Sequence, residues 1–363
     1  MTTQHLPTSS PAEQLALVFD WGNTLMKSIP EQSGPMAFWQ EISEVDGSIE
    51  ALDKLIGKLH MVVGTNAGDS NAELVWKALR RVGMGEYFSA VYTAKDLGAA
   101  KPDPLFFRQI ESMMDRPTYQ MVMIGDQYTV DILGAKSAGW KAIWYNPEEL
   151  DAPGATPLQD AEIADLRDLP ATIQRLTLPD YATCLFWLEE SSMPYNLLAH
   201  VHLVAATAYL LAVWLKRKRV NVNPVLAHRG GLLHDLAKMK SLHQKDNLGD
   251  DHAAMAREQL AQRGQPELAE IANRHMPYQK ETDPRRPETW EQKLVHFADK
   301  LCEGAHLVTP AERITALKGR YPHYAAELEA SFPLLLALQE EICTGLRISA
   351  DEMIRQLRAT LRT

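Results

Sequence analysis

Apolar residues come in short unbroken runs in the first half of the chain and at helical spacing in the second. The first run, Leu-Ala-Leu-Val-Phe-Asp at 15–20, ends on a carboxylate. Further runs lie at 59–64, 90–93, 120–125 and 141–145. The segments between them, such as 71–82 and 104–114, repeat apolar residues three and four apart and predict helices. Unbroken apolar strands alternating with helices predict a parallel sheet covered on both faces, a Rossmann-like α/β fold. Such sheets bind ligands at the carboxyl ends of their strands, so the polar residue after each run is the one to weigh.

Residues 146–160, rich in Pro, Asp, Glu, Ala and Gly, read as loop, and 161–176 as a short edge strand and a helix. From Tyr181 on, strand-like runs stop. Helices or helix pairs are expected at 196–216, 225–240, 251–263, 266–274, 289–308 and 322–361. The expected organisation is a flexible N-terminus over 1–12, an α/β domain over 13–176 and an all-α domain over 177–363.

Length agrees, since 363 residues are many for one core and suit two. The formal net charge of −10 argues against a dedicated duplex-DNA binder. Lys216-Arg-Lys-Arg219 is a local basic patch that favours a helix C-terminus and could meet an RNA or nucleotide phosphate; RNA is not the favoured partner. Cys184, Cys302 and Cys343 are far apart and have no metal spacing, which fits a reducing cytoplasm. No basic segment followed by an apolar run opens the chain. The most apolar stretch, 203–215, is too short to span a bilayer and reads as a buried helix, so no membrane partner is expected. No Gly-x-x-x-x-Gly-Lys-Ser/Thr motif supports a P-loop kinase.

Histidines then concentrate attention on the helical half. Six of the twelve fall between 200 and 252, and His275 and His296 follow. His234-Asp235 sits in Gly-Gly-Leu-Leu-His-Asp-Leu-Ala-Lys; His200 precedes it and Asp299, in Val-His-Phe-Ala-Asp-Lys, comes after. Two imidazoles and two carboxylates on separate helices can converge on one divalent ion with positions left for water. Lys238, four residues after His234, is expected on the same helix face, where it could pair with a phosphate.

This pattern resembles the HD-domain phosphohydrolase superfamily over residues 195–310. The resemblance gives His200, His234, Asp235 and Asp299 metal-ligand roles, with His200 preferred to His202 because Val204-Ala205 follows it at the family's spacing. It also implies that His252 and His275 hold a second ion, that Asp235 bridges the two, and that a hydroxide between them attacks phosphorus. Fe, Mn, Mg, Ni and Zn are all admitted. His202, His228, His243, His296, His306 and His323 are left as structural.

In the first half, Asp20, Thr65, Asn66, Lys101, Asp126 and Asp131 follow or flank strand ends. A carboxylate nucleophile, a hydroxyl and an amide for phosphate, a lysine to neutralise charge and acids for Mg²⁺ make a phosphoryl-transfer set. The wording Lys-Pro-Asp-Pro at 101–104 and Gly-Asp-Gln-Tyr-Thr-Val-Asp at 125–131 resembles the haloacid dehalogenase-like superfamily over 13–176. Phosphatases of that family carry Asp-x-Asp, and the second Asp is the general acid and base. Here Gly22 stands in its place, forfeiting a contribution of about 10²–10⁴-fold. The resemblance still lets Asp20, the Gly22 carbonyl, Asp126 and Asp131 hold Mg²⁺. Residues 25–60 leave room for a minimal cap at most.

The expected function is hydrolysis of a phosphoester or phosphoanhydride, of nucleotide type, through the histidine site, with Asp235 and Lys238 in catalytic roles and Lys238 on the phosphate. Two alternatives stand beside it. Asp20 and Lys101 could make the α/β domain the working phosphatase, or both domains could form a nucleotide-binding regulatory module without turnover.

Overall fold

The computed structural model describes residues 15–243 and 252–362, apart from the side chains of 242 and 243. Residues 1–12, Asp251 and the His243 side chain lie outside the described residues. The chain divides into two compact units. The first runs to Ala152 and resumes over Leu158–Thr177; the second takes Pro153–Pro157 and continues from Leu178.

In the first unit six strands form one parallel sheet. They are β1 (Ala16–Phe19), β2 (His60–Thr65), β3 (Ala90–Thr93), β4 (Met121–Gly125), β5 (Lys141–Tyr145) and β6 (Ala161–Ile163), in the order β3-β2-β1-β4-β5-β6. The two-residue strand period sends alternate side chains into two cores. Leu17 and Phe19 join Val63, Val122 and Ile124 on one face; Ala16 and Val18 join Val62, Met121 and Met123 on the other. Six helices accompany the strands: α1 (Ser48–Leu55), α2 (Ala72–Arg81), α3 (Ala94–Leu97), α4 (Pro104–Met114), α5 (Leu133–Ser137) and α6 (Leu169–Gln174). α2 begins where Asn71 Oδ1 accepts the Leu74 N–H at 3.1 Å, satisfying a donor the helix cannot. Strand order reverses between β1 and β4, the place where sheets of this kind open a crevice. Register puts Phe19 beside Val63 and Ile124, so Asp20, Gly64 and Gly125 stand level at the carboxyl end. Between β1 and α1 lie only one 3-10 turn (Met36–Phe38) and two isolated bridges at Met26.

The second unit contains α7 (Tyr181–Glu190), α8 (Tyr195–Arg217), α9 (Pro224–Leu233), α10 (Lys238–His243), α11 (His252–Gln262), α12 (Pro266–Asn273), α13 (Trp290–Asp299), α14 (Pro310–Arg320), α15 (Ala325–Leu346) and α16 (Ala350–Leu361). By length and hydropathy α8 could cross a membrane, but 61% of its most apolar window is buried within the protein. Its Val204, Ala208 and Leu211 share one core with Ala227 and Leu232 of α9 and Val295 and Phe297 of α13. α9 packs closely because two glycines omit side chains. A Cβ on Gly231 would lie 2.5 Å from Ala205 Cα of α8, and one on Gly230 would lie 2.8 Å from Ile271 Cγ2 of α12. The residues that follow, His234 and Asp235, are thereby seated among three helices.

Two helical expectations change. His234 and Lys238 do not share a helix face: α9 stops at Leu233, residues 234–237 form turns, and Lys238 starts α10. A continuous helix would set neighbouring side chains about 100° apart, and the break is what lets His234 and Asp235 face a common centre. The helix expected over 289–308 ends at Asp299. A small antiparallel hairpin follows, β7 (Cys302–Glu303) and β8 (His306–Leu307), turning at Gly304 with φ 57°, so the unit is not wholly helical. α14 was not expected, because Ile314 is the one buried large aliphatic in its charged sequence and leaves no periodic stripe.

Candidate metal centres

Six residues from five separate segments meet in the second unit. α8 carries His200, the turn after α9 carries His234 and Asp235, α11 opens on His252, the loop after α12 carries His275, and α13 ends on Asp299. Five are buried and His252 is half-buried. They form two groups that share one residue: His200, His234 and Asp235, and Asp235, His252 and His275. In each group the donor atoms lie within 4.8 Å of one another and could hold an ion. Asp235 Oδ2 is 3.5 Å from His234 Nε2, while its Oδ1 is 3.1 Å from His252 Nε2 and 3.6 Å from His275 Nε2. One carboxylate therefore faces each group with a different oxygen. Asp299 Oδ1 adjoins the first group, 3.0 Å from His200 Nε2 and 3.9 Å from His234 Nε2.

Backbone contacts fix the rings. His234 Nδ1 is 2.7 Å from the Gly231 carbonyl and His275 Nδ1 is 2.6 Å from that of Ala272. A carbonyl only accepts, so each Nδ1 carries the proton and each Nε2 presents a lone pair. His234 Nε2, which faces Asp235, is buried without a hydrogen-bond partner and is free to act as a ligand atom. Burial, above all, pushes the His234 and His275 pKa values down, so both rings are neutral. Burial would raise Asp235, but Lys238, His234 and His252 outweigh it and hold the carboxyl well below its ordinary range. Asp299 is likewise held down against burial, chiefly by Lys300, His200 and Arg313. Neutral imidazoles and ionised carboxylates are the state that metal ligation requires.

Three cations brace these acids. Lys238 Nζ, expected on the His234 face against a phosphate, instead lies 2.7 Å from Asp235 Oδ2 and comes from the next helix. Sequence reasoning missed the other two. Lys300, buried, donates to Asp299 Oδ2 at 2.7 Å and to the His275 carbonyl. Arg313 of α14 reaches Asp299 Oδ1 at 3.4 Å and pairs with Glu303. Lys300 left a trace, a lysine inside the apolar run Phe-Ala-Asp-Lys-Leu-Cys. Arg313 left none, because its helix has no apolar stripe. The other described histidines stay apart. His228 meets Arg229 at 2.8 Å, His202 meets Tyr181 at 3.2 Å, His296 meets the Arg274 carbonyl at 3.2 Å, and His306 and His323 are exposed.

At the carboxyl end of the first unit's sheet, Asp20, Asp126 and Asp131 form a third group able to hold an ion. Lys101 Nζ lies between two of them, 2.5 Å from Asp20 Oδ1 and 2.7 Å from Asp131 Oδ1, and donates to the Gly64 carbonyl at 2.9 Å. Asn66 braces the Lys101 backbone, accepting its N–H and donating to its carbonyl, both at 2.8 Å. Thr65 Oγ1 accepts the Ala67 N–H at 3.1 Å, and Thr24 donates to Asp126 at 3.2 Å. A Cβ on Gly125 would lie 2.3 Å from Asp131 Oδ2, so only glycine fits there. Burial and the Asp20 charge push Asp126 up to about 6; burial, with Asp20 adding, raises Asp131 to about 7 against the pull of Lys101. Crowded carboxyls of this kind could hold a cation. At Gly22 the structure supplies no acid, and a Cβ there would meet Ser28 Oγ at 3.3 Å.

Comparisons with known proteins agree with both units. Residues 27–139 match the model of the haloacid dehalogenase-like hydrolases, and 197–304 match that of the HD domain. A pyrimidine 5'-nucleotidase, PynA, from Streptococcus pneumoniae is 31% identical over 113 residues, 31% of this chain and 47% of that protein. A phosphoserine phosphatase from Thermus thermophilus is 33% identical over 91 residues, 24% of this chain and 34% of the relative. The chain thus spans less than half the length of these relatives. Among solved structures, an uncharacterized protein from Listeria monocytogenes has a TM-score of 0.41 at 25% identity, covering 45% of this chain and 98% of its own. The putative HAD-hydrolase YfnB from Bacillus subtilis, bound to magnesium, has 0.37 at 17%, covering 44% and 98%.

Proposed function

We propose that this chain, which joins a haloacid dehalogenase-like hydrolase domain to an HD domain, is a metal-dependent phosphohydrolase working through its histidine–aspartate cluster. The observation that carries this reading is the sharing of Asp235 between two ligand groups. His200, His234, Asp235 and Asp299 would hold one divalent ion, and Asp235, His252 and His275 a second. Bound there, such ions polarise a phosphoryl oxygen and lower the pKa of bound water. The chain supplies the rest. Carbonyl bonds from Gly231 and Ala272 aim two imidazoles. Lys238, its side chain one quarter exposed, keeps Asp235 ionised and can donate to a phosphate oxygen. Lys300 and Arg313 keep Asp299 ionised. The substrate class is a small phosphorylated compound, with a nucleotide preferred. The ion is Fe, Mn, Mg, Ni or Zn. A cytoplasmic setting is supported by three free, buried cysteines.

Metal analysis of the purified protein tests the site. One or two ions per chain are expected, and loss of them in His234→Ala. A protein free of metal after saturation would end this reading. A second reading makes Asp20 a nucleophile, with Thr65, Asn66 and Lys101 on the phosphate and Mg²⁺ at Asp20, Asp126, Asp131 and the Gly22 carbonyl. It is favoured by the 2.5 Å Asp20–Lys101 contact and weakened by Gly22. Asp20→Asn against His234→Ala on one panel of nucleotides and phosphomonoesters assigns the turnover.

A further inference from the structure

The second unit holds a cavity of about 460 Å³ whose lining includes Trp187, Ser192, Leu236, Met239, Gln259 and Arg263. None of these is a candidate ligand, yet three chain segments contribute to both places. Leu236 directly follows Asp235, and Met239 follows Lys238. Gln259 lies seven residues beyond His252 on α11, two turns along the same stripe, about 10 Å away. Ser192 lies eight residues before His200, at the approach to α8. The cavity and the histidine–aspartate cluster are therefore built on three shared segments.

Its chemistry differs from that of the cluster. The Arg263 guanidinium lies over the Trp187 ring, 5.1 Å from its centroid, and is tied to Glu190 at 3.1 Å. This makes a fixed cation–aromatic layer. Leu236 and Met239 add apolar surface, Ser192 and Gln259 offer neutral donors and acceptors, and exposed Lys240 adds a second cation to the lining. The volume suits an organic group of nucleoside size and far exceeds the need of a phosphate. The Arg263 charge is already answered by Glu190, so a neutral planar ring suits the layer better than a second anion.

We infer that this cavity is the subsite for the nucleoside end of the substrate, with the base on the Trp187–Arg263 layer and the phosphate directed to the cluster. The inference rests on the phosphohydrolase reading for the phosphate's destination, but not for the existence of the subsite. Free nucleosides, which carry no phosphate, separate the two. Adenosine, guanosine, cytidine and uridine are titrated into the full-length protein and followed by saturation-transfer NMR. At least one should bind, and Trp187→Ala or Gln259→Trp, the second filling the cavity from its half-exposed side, should weaken it about 10-fold or more. His234→Ala should bind that nucleoside as wild type does. In turnover, the preference for a nucleoside triphosphate over inorganic tripolyphosphate should fall by a similar factor in Gln259→Trp. Absence of nucleoside binding by wild type, or equal binding by a correctly folded Gln259→Trp, overturns the subsite and leaves the metal reading intact. Nucleoside binding without any turnover keeps the subsite and overturns the hydrolase.

Discussion

The two units solve the problem of concentrated charge in different ways. At the sheet's carboxyl end, Asp20 and Asp131 are joined by one buried lysine, and Asp126 stands beside them with its pKa raised to about 6. In the helical unit, Asp235 and Asp299 are held ionised by Lys238, Lys300 and Arg313, while the neutral His234 ring turns an unpartnered Nε2 toward Asp235. The first arrangement has a candidate nucleophile, Asp20, and a charge clamp but no acid at Gly22. The second has a candidate ligand set in which His234 and His275 are held neutral and Asp235 and Asp299 ionised. Bringing the same residue types together is therefore not enough; the protonation each environment imposes, and one missing carboxylate, separate a candidate catalyst from a site that holds charge.

Removing ligands should break the comparison most strongly. His234→Ala or Asp235→Asn is expected to lower phosphohydrolase turnover by roughly 10³-fold or more and to strip metal, as measured by steady-state kinetics and elemental analysis. If Asp20→Asn does this and His234→Ala does not, the two units exchange roles. Restoring the missing acid should narrow the difference from the other side. Gly22→Asp is expected to raise phosphomonoester turnover in the first unit by about 10²-fold, the low end for a positioned acid, because Ser28 must rotate to admit the new side chain. The lysine clamp comes next. Lys101→Met should destabilise the first unit by about 3 kcal/mol in denaturant titrations, since two buried carboxylates lose their counter-ion. Metal content at the histidine cluster should not change.

The smallest effect is a pH dependence. Asp126 binds its proton more tightly folded than unfolded, so its contribution to stability is full below pH 4 and is lost as pH rises through about 6. In chelator-treated protein, Asp126→Asn should therefore gain on wild type between pH 4 and 6 and level off above. A divalent ion should reduce the gain, because it stabilises the ionised carboxylate. A constant difference across that range, read from thermal melts, would mean that the carboxyl is not raised.

Much of the candidate chemistry was legible because it lies where sequence rules look. Asp20 and Asp126 each follow an apolar strand, and strand ends are fixed by hydrophobic runs. His234-Asp235 stood out through its flanking leucines and Lys238. What the runs did not convey was the break after Leu233, because burial on both sides of the break leaves the apolar pattern continuous. Nor did they convey the hairpin after Asp299, whose two-residue strands are too short to show a period.

The sequence by itself determined two hydrophobic patterns of different period, and so an α/β unit and a largely helical one, and it determined which titratable residues were available. Tertiary structure alone decided that Asp235 offers one oxygen to each ligand group, that Lys300 and Arg313 close on Asp299, and that a cavity forms between Trp187, Leu236 and Arg263. The reason is physical. Local periodicity follows from the burial of each segment against a core, whereas the cluster joins residues as far apart as His200 and Asp299, 99 positions, through helix packing. The spacing of that packing is set by small features such as the absent side chain of Gly231.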